Sequence, residues 1–437
     1  MRMTNRVAIH MRAFAARGSG GVWLTHKAGA RGAAVMAACA VSVALIIGLA
    51  WSAPVADAAE TSAVNRAYKV LAWNDLGMHC YNADFRELGV LPPYNNLWAQ
   101  VVRVGNPPQI VTSGIIVKYQ IVRNTSSVTK TNFWTYAQSL FNLAEPLPPD
   151  IGLTGKGLSG TMDLAGDHFV AEGIPVTEYR DGATRPDPYQ LAYVSVWNAT
   201  TMQLLAHNLA VVPVSSEMHC DTCHNDVGDA TTAYPIKPTG KVETNILTLH
   251  DYLNQGKYQP SLMNSRPVLC ANCHASNALG MPGAVGVSNL SHAMHNHHQN
   301  LPDITPDTEG CYNCHPGPVT KCLRCVMTQK YGFNCTTCHG DMALVAGNPD
   351  PWLHEPRCDA AHCHGGQVAL NQPLYRKSTG HNGIYCAGCH DSPHAIAPSR
   401  ERKDAYKFMI LQGEPGTLEK CTVCHATEPA GDFRHLP

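Results

Sequence analysis

The chain of 437 residues has no surplus of positive charge. Its 32 lysines and arginines are balanced by 33 aspartates and glutamates, charged side chains make up only 15% of it, and the formal charge is −1. Nucleic acid is held through phosphate neutralisation on a basic face, so that class of partner is not expected. Long apolar runs are missing too, with one exception at Ala33–Trp51. The stretch from about 62 to 217 carries no catalytic signature, which favours a docking or structural role for it.

The exception marks an export signal over residues 1–58. Arg2, Arg6, Arg12, Arg17, Lys27 and Arg31 form a basic leader, the apolar run follows, and Ala56-Asp-Ala58 supplies small residues for cleavage. If the run were retained instead, it would tether the protein to a membrane. Cleavage removes six basic side chains and one acid, which takes the formal charge to about −6. The mature protein is expected in the periplasm or on the outer-membrane, extracellular side.

Residues 59–217 read as short strands between Gly, Pro and Asn clusters. Gly114–Val122 is rich in β-formers, Tyr193–Trp197 alternates, and Met202–Val212 returns after the polar turn Asn198–Thr201 as a hairpin.

What dominates residues 218–437 is one repeated motif, two cysteines followed at once by histidine. It occurs first as Cys220, Cys223 and His224, then as Cys270, Cys273 and His274, and again as Cys311, Cys314 and His315. Three more copies are Cys335, Cys338 and His339, then Cys386, Cys389 and His390, and last Cys421, Cys424 and His425. A stretched copy, Cys358, Cys363 and His364, has four residues between its cysteines. Structural zinc would pair two cysteine knuckles into a tetrahedron and would not require histidine after every second cysteine. Histidine adjacent to the pair is the attachment signature of c-type haem: the thiols bond to the porphyrin vinyl groups and the histidine ligates iron. Seven covalently attached c-type haems are therefore expected. The motifs fall about 25 residues apart from Cys311 to Cys389, too little chain for a conventional core around each cofactor. The expected fold is an N-terminal all-β, sandwich-like domain followed by a loop-rich, mainly α multihaem cytochrome c domain with haems forming the core.

Seven proximal histidines leave seven opposite positions, and the mature chain has fourteen further histidines. Seven candidates for distal ligands stand out. His250 lies in a helical stretch from Thr244 towards Gly256, and His295 and His298 share one helix face at a spacing of three. His381 precedes a motif, His394 follows one after a proline, and His435 closes the chain. His79 is the seventh, beside a lone cysteine in Leu71-Ala-Trp-Asn-Asp-Leu-Gly-Met-His-Cys-Tyr81. After Cys39 leaves with the signal, Cys80, Cys322 and Cys325 are left over. Cys322-Leu-Arg-Cys325-Val has the motif spacing without the ligand. It reads as a disulfide partner set, with Cys322–Cys325 or Cys80–Cys322 bridged, or as a redox pair whose thiolate Arg324 would favour.

Several of these segments carry a family resemblance. Trp73-Asn-Asp-Leu-Gly-Met-His-Cys80, Arg266-Pro-Val-Leu-Cys-Ala-Asn-Cys-His-Ala-Ser-Asn-Ala-Leu-Gly280, Ser291-His-Ala-Met-His295, Cys311-Tyr-Asn-Cys-His-Pro-Gly-Pro318 and Ser392-Pro-His-Ala395 resemble multihaem c-type cytochromes of extracellular electron transfer, and more narrowly the ExtKL type, some members of which carry selenocysteine. The resemblance implies a haem-free N-terminal domain before the haem array, with a second chalcogen at Cys322/Cys325. The ending Phe433-Arg-His435-Leu-Pro is shorter than the family's.

The expected function is an electron relay between periplasmic or outer-membrane redox partners, including a porin–cytochrome conduit. The competing readings are a reductase of a small inorganic or sulfur/selenium substrate, at an open haem or at Cys322/Cys325, and a subunit of a haem filament.

Overall fold

The structure, a computed structural model, describes residues 67–437 except 302, 303, 306, 307, 351, 352, 432–434, 436 and 437. The expected signal segment and Cys39 lie outside the described residues. All described residues belong to one compact unit, and no helix among them is long and apolar enough to cross a membrane.

Eleven strands precede the first cysteine–histidine motif: β1 (Tyr68–Trp73), β2 (His79–Cys80), β3 (Leu88–Gly89), β4 (Asn95–Arg103), β5 (Gln109–Ile110), β6 (Ile115–Ile121), β7 (Ser159–Thr161), β8 (Asp163–Ala165), β9 (His168–Ile174), β10 (Tyr189–Asn198) and β11 (Leu204–Ser215). One sheet runs β1-β4-β9-β8, with β5 on β4. The second runs β2-β11-β10-β6-β7. β10 and β11 form the hairpin that the alternation predicts, in register from Tyr189–Pro213 to Val196–Ala206. Val70, Ala72, Leu97, Ala99 and Val101 of the first sheet close on Val117, Ile121, Val194, Val196, Val212 and Val214 of the second in one apolar core. Each such side chain contributes about 1.5–3 kcal/mol by leaving water.

The first sheet is buried on both faces, and this positions everything that follows. Successive strand side chains point to opposite faces. In β1, Val70 and Ala72 enter the sandwich, whereas Leu71 and Trp73 pack on the other side with Tyr375, Ala387, Leu411 and Val423. In β4, Gln100 faces the same way. Its amide donates to the Gly383 carbonyl at 3.0 Å and accepts from the Tyr385 N–H at 3.0 Å, so it fills a backbone pairing position between the two regions. A second apolar cluster joins Phe85 and helix α1 (Phe133–Phe141) to Leu269 and Ala271.

These contacts correct the expected fold class. Beyond residue 217 the chain is not a loop-rich, mainly α array with haems for a core; the protein is mixed α and β with several sheets. Strand β12 (Val268–Leu269) pairs in parallel with β3, and β13 (Thr379–Gly380) pairs with β14 (Ile384–Tyr385). Side chains do the packing: the cluster around Trp73 draws residues from β1, β4 and the 358–424 stretch. The expectation from motif spacing failed because it counted only the length of chain between motifs and left out the outer face of β1 and β4.

Two buried cations in the later region are paired. Arg324, 1% exposed, holds Asp404 through Nε at 2.7 Å and Nη2 at 3.1 Å, and its guanidinium lies 4.6 Å from the Tyr189 ring centre. Lys407 donates to the Ala387 carbonyl at 3.0 Å and to Asp391 at 3.2 Å.

Candidate functional site

Each motif is wound into a single turn. The histidine N–H donates to the carbonyl of the first cysteine in His224 (2.9 Å), His274 (2.9 Å), His315 (3.0 Å) and His425 (2.9 Å), and Cys335–His339 and Cys386–His390 are short helices. On such a turn residues i, i+3 and i+4 share a side, which presents two sulfurs and one imidazole together. The stretched motif closes in the same way, with His364 N–H on the Cys358 carbonyl at 3.1 Å. Its two extra residues are absorbed in the turn.

The repeat is less uniform in space than in sequence, as the first two motifs illustrate. Cys223 is half-buried within the short helix Asp221–His224. Cys273 is exposed and sits on a tighter turn, where its N–H donates to the Cys270 carbonyl at 3.2 Å and its own carbonyl accepts from the Ala284 N–H at 2.8 Å. Equal surroundings for the second cysteines, which identical spacing would suggest, are therefore not found. The local chain after each motif sets the difference: Ala284 closes back on Cys273, whereas Asn225 closes the helix that holds Cys223 by donating to the Asp221 carbonyl at 2.7 Å.

Six motif histidines face six of the seven sequence candidates. Ring centres are 6.5 Å apart for His224–His298, 6.3 Å for His274–His250 and 6.0 Å for His315–His295. They are 6.2 Å apart for His339–His394, 5.9 Å for His425–His381 and 5.9 Å for His390–His435. Two metal–nitrogen bonds of about 2 Å, plus roughly 1 Å from each nitrogen to its ring centre, set imidazole rings about 6 Å apart across one iron. A direct stacking contact would be closer, and an unrelated pair has no reason to repeat this spacing six times. The residues therefore fit the group.

Local structure explains the placement. Helix α2 (Val242–Leu253) carries His250. Thr244, expected as its cap, lies inside the helix and returns its hydroxyl to the Lys241 carbonyl at 3.2 Å. Helix α3 (Leu290–His298) is capped by Asn289, which accepts from the His292 N–H at 2.7 Å, and presents His295 and His298 to two different motifs. Four of these rings have Nδ1 occupied. His295 Nδ1 is 2.8 Å from the Ser291 carbonyl, His298 Nδ1 2.6 Å from Met294 O, His274 Nδ1 2.9 Å from Ser288 O, and His250 Nδ1 2.8 Å from the Tyr258 hydroxyl. Metal-bound histidines characteristically give their second nitrogen to such a partner, which fixes the tautomer and releases Nε2.

Burial lowers the pKa of His224, His315, His390 and His394 to about 4, with a neighbouring histidine as the next cause in each. The rings are thus neutral at pH 7, the form that binds metal. Among the described residues, no three of His, Cys, Asp and Glu converge as a metal cluster.

Neighbouring motifs also lie within electrostatic range of one another. The Cys270 and Cys314 thiols are each in reach of Cys220, and Cys314 also of Cys223. His315 is in reach of His339, Cys338 of Cys363, Cys386 of Cys358, and Cys424 of Cys389. These proximities link the seven sites in sequence order, except that the first two are exchanged.

Two expectations are placed differently. His79 joins no motif: its Nε2 is 2.9 Å from the Pro92 carbonyl, it is buried against Tyr94, and burial lowers its pKa to about 4. The Nε2 that an iron would need is engaged. Nor is Arg324 available to activate a thiol, because Asp404 holds it on two nitrogens. Burial pushes the Cys322 thiol up to about 11, with Cys335 the next cause and Arg324 only a partial offset. Cys325 is 3% exposed, and its Sγ lies 3.8 Å from the Thr328 hydroxyl. Cys80 is a neighbour of Cys322, and none of the three is in a disulfide.

One group escaped the sequence reading altogether. Trp73, Trp98, His168 and Tyr385 pack as an aromatic set beside Cys386, with ring centres 4.4–6.4 Å apart. The paired register Trp73–Trp98 across β1 and β4 is a tertiary fact that no local pattern signals. No protein-family model matches this chain, and a search of curated proteins likewise gives no match.

Proposed function

We propose that the protein is an exported heptahaem c-type cytochrome that relays electrons between periplasmic or outer-membrane redox partners. The observation that carries this reading is the sixfold repeat of a motif histidine facing a second histidine at 5.9–6.5 Å. When bound, haem supplies reversible one-electron storage at iron. The chain's own residues do the rest. Paired cysteines would tether each group, and the motif histidine and its partner would hold its iron and keep small ligands away, with Nδ1 hydrogen bonds fixing His250, His274, His295 and His298. A site closed on both faces stores charge without offering substrate a coordination position, so relay is favoured over reduction chemistry at these six. The proximity of successive motifs would give each bound group a neighbour with which to exchange an electron. The buried Cys322/Cys325 pair, with its raised thiol and committed arginine, gives a dithiol reductase no support.

The test is electron exchange by the purified holoprotein on an electrode. The proposal expects reversible uptake of seven electrons per chain over a spread of potentials, and rapid return of them to a soluble c-type cytochrome. Uptake of no electrons, or catalytic current with nitrite or hydroxylamine as large as the relay current, would overturn it.

A further inference from the structure

Six facing pairs leave one motif histidine, His364, without a second imidazole among the ring contacts of the described residues. We infer that His354 is the ligand opposite His364, so that the stretched motif completes a seventh two-histidine site. This rests on the haem reading above.

Two observations point to His354. The first is its hydrogen bond. His354 Nδ1 lies 2.8 Å from the carbonyl of Asp350, four residues earlier. His295 and His298, which face motif histidines, bond the carbonyl four residues earlier in the same way. In all three the arrangement fixes the ring and releases Nε2. Among the other histidines, His79 and His219 have Nε2 engaged with Pro92 and Glu217, His168 is held by Asp167 and Tyr385 inside the aromatic set, His207 stacks on Tyr193, and His297 packs edge-on against His298. His362 lies inside the stretched motif itself. The buried Nδ1 of His292, like that of His224, has no partner.

The second observation is location. Glu355, the next residue, is ion-paired with Arg376. Arg376 follows Tyr375, which packs in the same apolar cluster as Cys358, the first cysteine of the stretched motif. On the other side Asp350 is anchored by Asn277, whose amide donates to its carboxylate at 2.8 Å. The stretch just after His354 is thus tied to the neighbourhood of the motif it would serve, and both His354 and His364 are exposed on the protein atoms.

The experiment is low-temperature EPR of the ferric holoprotein, with haem counted separately by alkaline pyridine spectra. The wild type is expected to be low-spin at all seven haems. His354→Ala is expected to keep seven haems and convert one of them to high spin, reversed by added imidazole, whereas His292→Ala and His79→Ala leave the spectrum unchanged. An unchanged low-spin spectrum in His354→Ala, a high-spin haem produced by His292→Ala, or one high-spin haem already in the wild type would each overturn the assignment. If His354→Ala loses haem, His354→Met decides, because sulfur ligation adds a near-infrared charge-transfer band that is absent if residue 354 does not face iron. A wild-type haem count far below seven would instead defeat the underlying haem reading.

Discussion

Residues 67–217 and residues 218–435 solve the same problem in opposite ways. The first region closes its apolar side chains into one sandwich core. The second leaves many uncovered, among them Val227 at 84%, Val319 at 74% and Leu344 at 66% exposure, each within five residues of a motif histidine. In the sandwich, buried His79 spends its Nε2 on a backbone carbonyl. In the later region His250, His295 and His298 spend Nδ1 and keep Nε2 back. The difference teaches that the first region closes on its own side chains, while the second holds apolar side chains and ring nitrogens in reserve beside its cysteine–histidine motifs. Some apolar surface of that second region is supplied by the first, through Leu71 and Trp73.

The largest expected effect breaks the contrast directly. Chain made without haem attachment should show rapid proteolysis after residue 217 while the sandwich persists, and the holoprotein should resist throughout. Equal sensitivity of both regions in the haem-free chain would contradict the contrast. Next comes the buried ion pair: Asp404→Asn strands Arg324, and thermal or denaturant unfolding of the holoprotein should show a loss of about 3–5 kcal/mol. Leu97→Ala in the sandwich core should cost about 2–5 kcal/mol, whereas Val227→Ala in the haem-free chain should stay within about 0.5 kcal/mol. At the join, Gln100→Leu removes both bonds to the 383–385 backbone and should cost about 1–3 kcal/mol while leaving the haem count unchanged.

A smaller effect concerns pH, and its sign is informative. Burial lowers the His79 pKa to about 4, so the unfolded chain binds the extra proton between pH 6.5 and 4, and this group's contribution to stability falls as pH falls through that window. Burial raises the Asp75 pKa to about 6, so its contribution is present at low pH and falls as pH rises from 3.8 to 6. The two oppose each other four residues apart. His79→Gln should leave stability declining with rising pH across 4–6, and Asp75→Asn should leave it increasing with rising pH across 4–6.5, both read from unfolding midpoints relative to the parent. Parallel slopes in the two variants would show that these groups do not titrate as their burial requires.

Much of the candidate site was legible because its information is local. A cysteine pair followed by histidine defines one turn, and helix periodicity places His295 and His298 on a shared face. The hairpin Tyr189–Ser215 was readable for the same reason. The missing parts are tertiary. Leu71-Ala-Trp73 is an unbroken apolar run, the mark of a strand covered on both faces. That run was not read as a strand, which hid the support that this sheet gives to residues 358–424 and left the motif spacing to suggest a haem-core fold. His79 was attractive for its neighbour Cys80, yet strand pairing with Val214 carries it into the β region. The unlike settings of Cys223 and Cys273 depend on Asn225 and Ala284, which lie outside the motif that identifies them. His354 was invisible because its distinguishing feature is a hydrogen bond to Asp350.

The central claim is that the paired histidines at 6 Å spacing face each other across haem iron. The most direct measurement combines intact mass with the spin state of the ferric holoprotein. The account predicts a mass increase of seven covalent haems and low-spin iron at the six sites paired here. A chain that leaves haem-attachment machinery with no covalent haem, or with high-spin iron predominating, would contradict it.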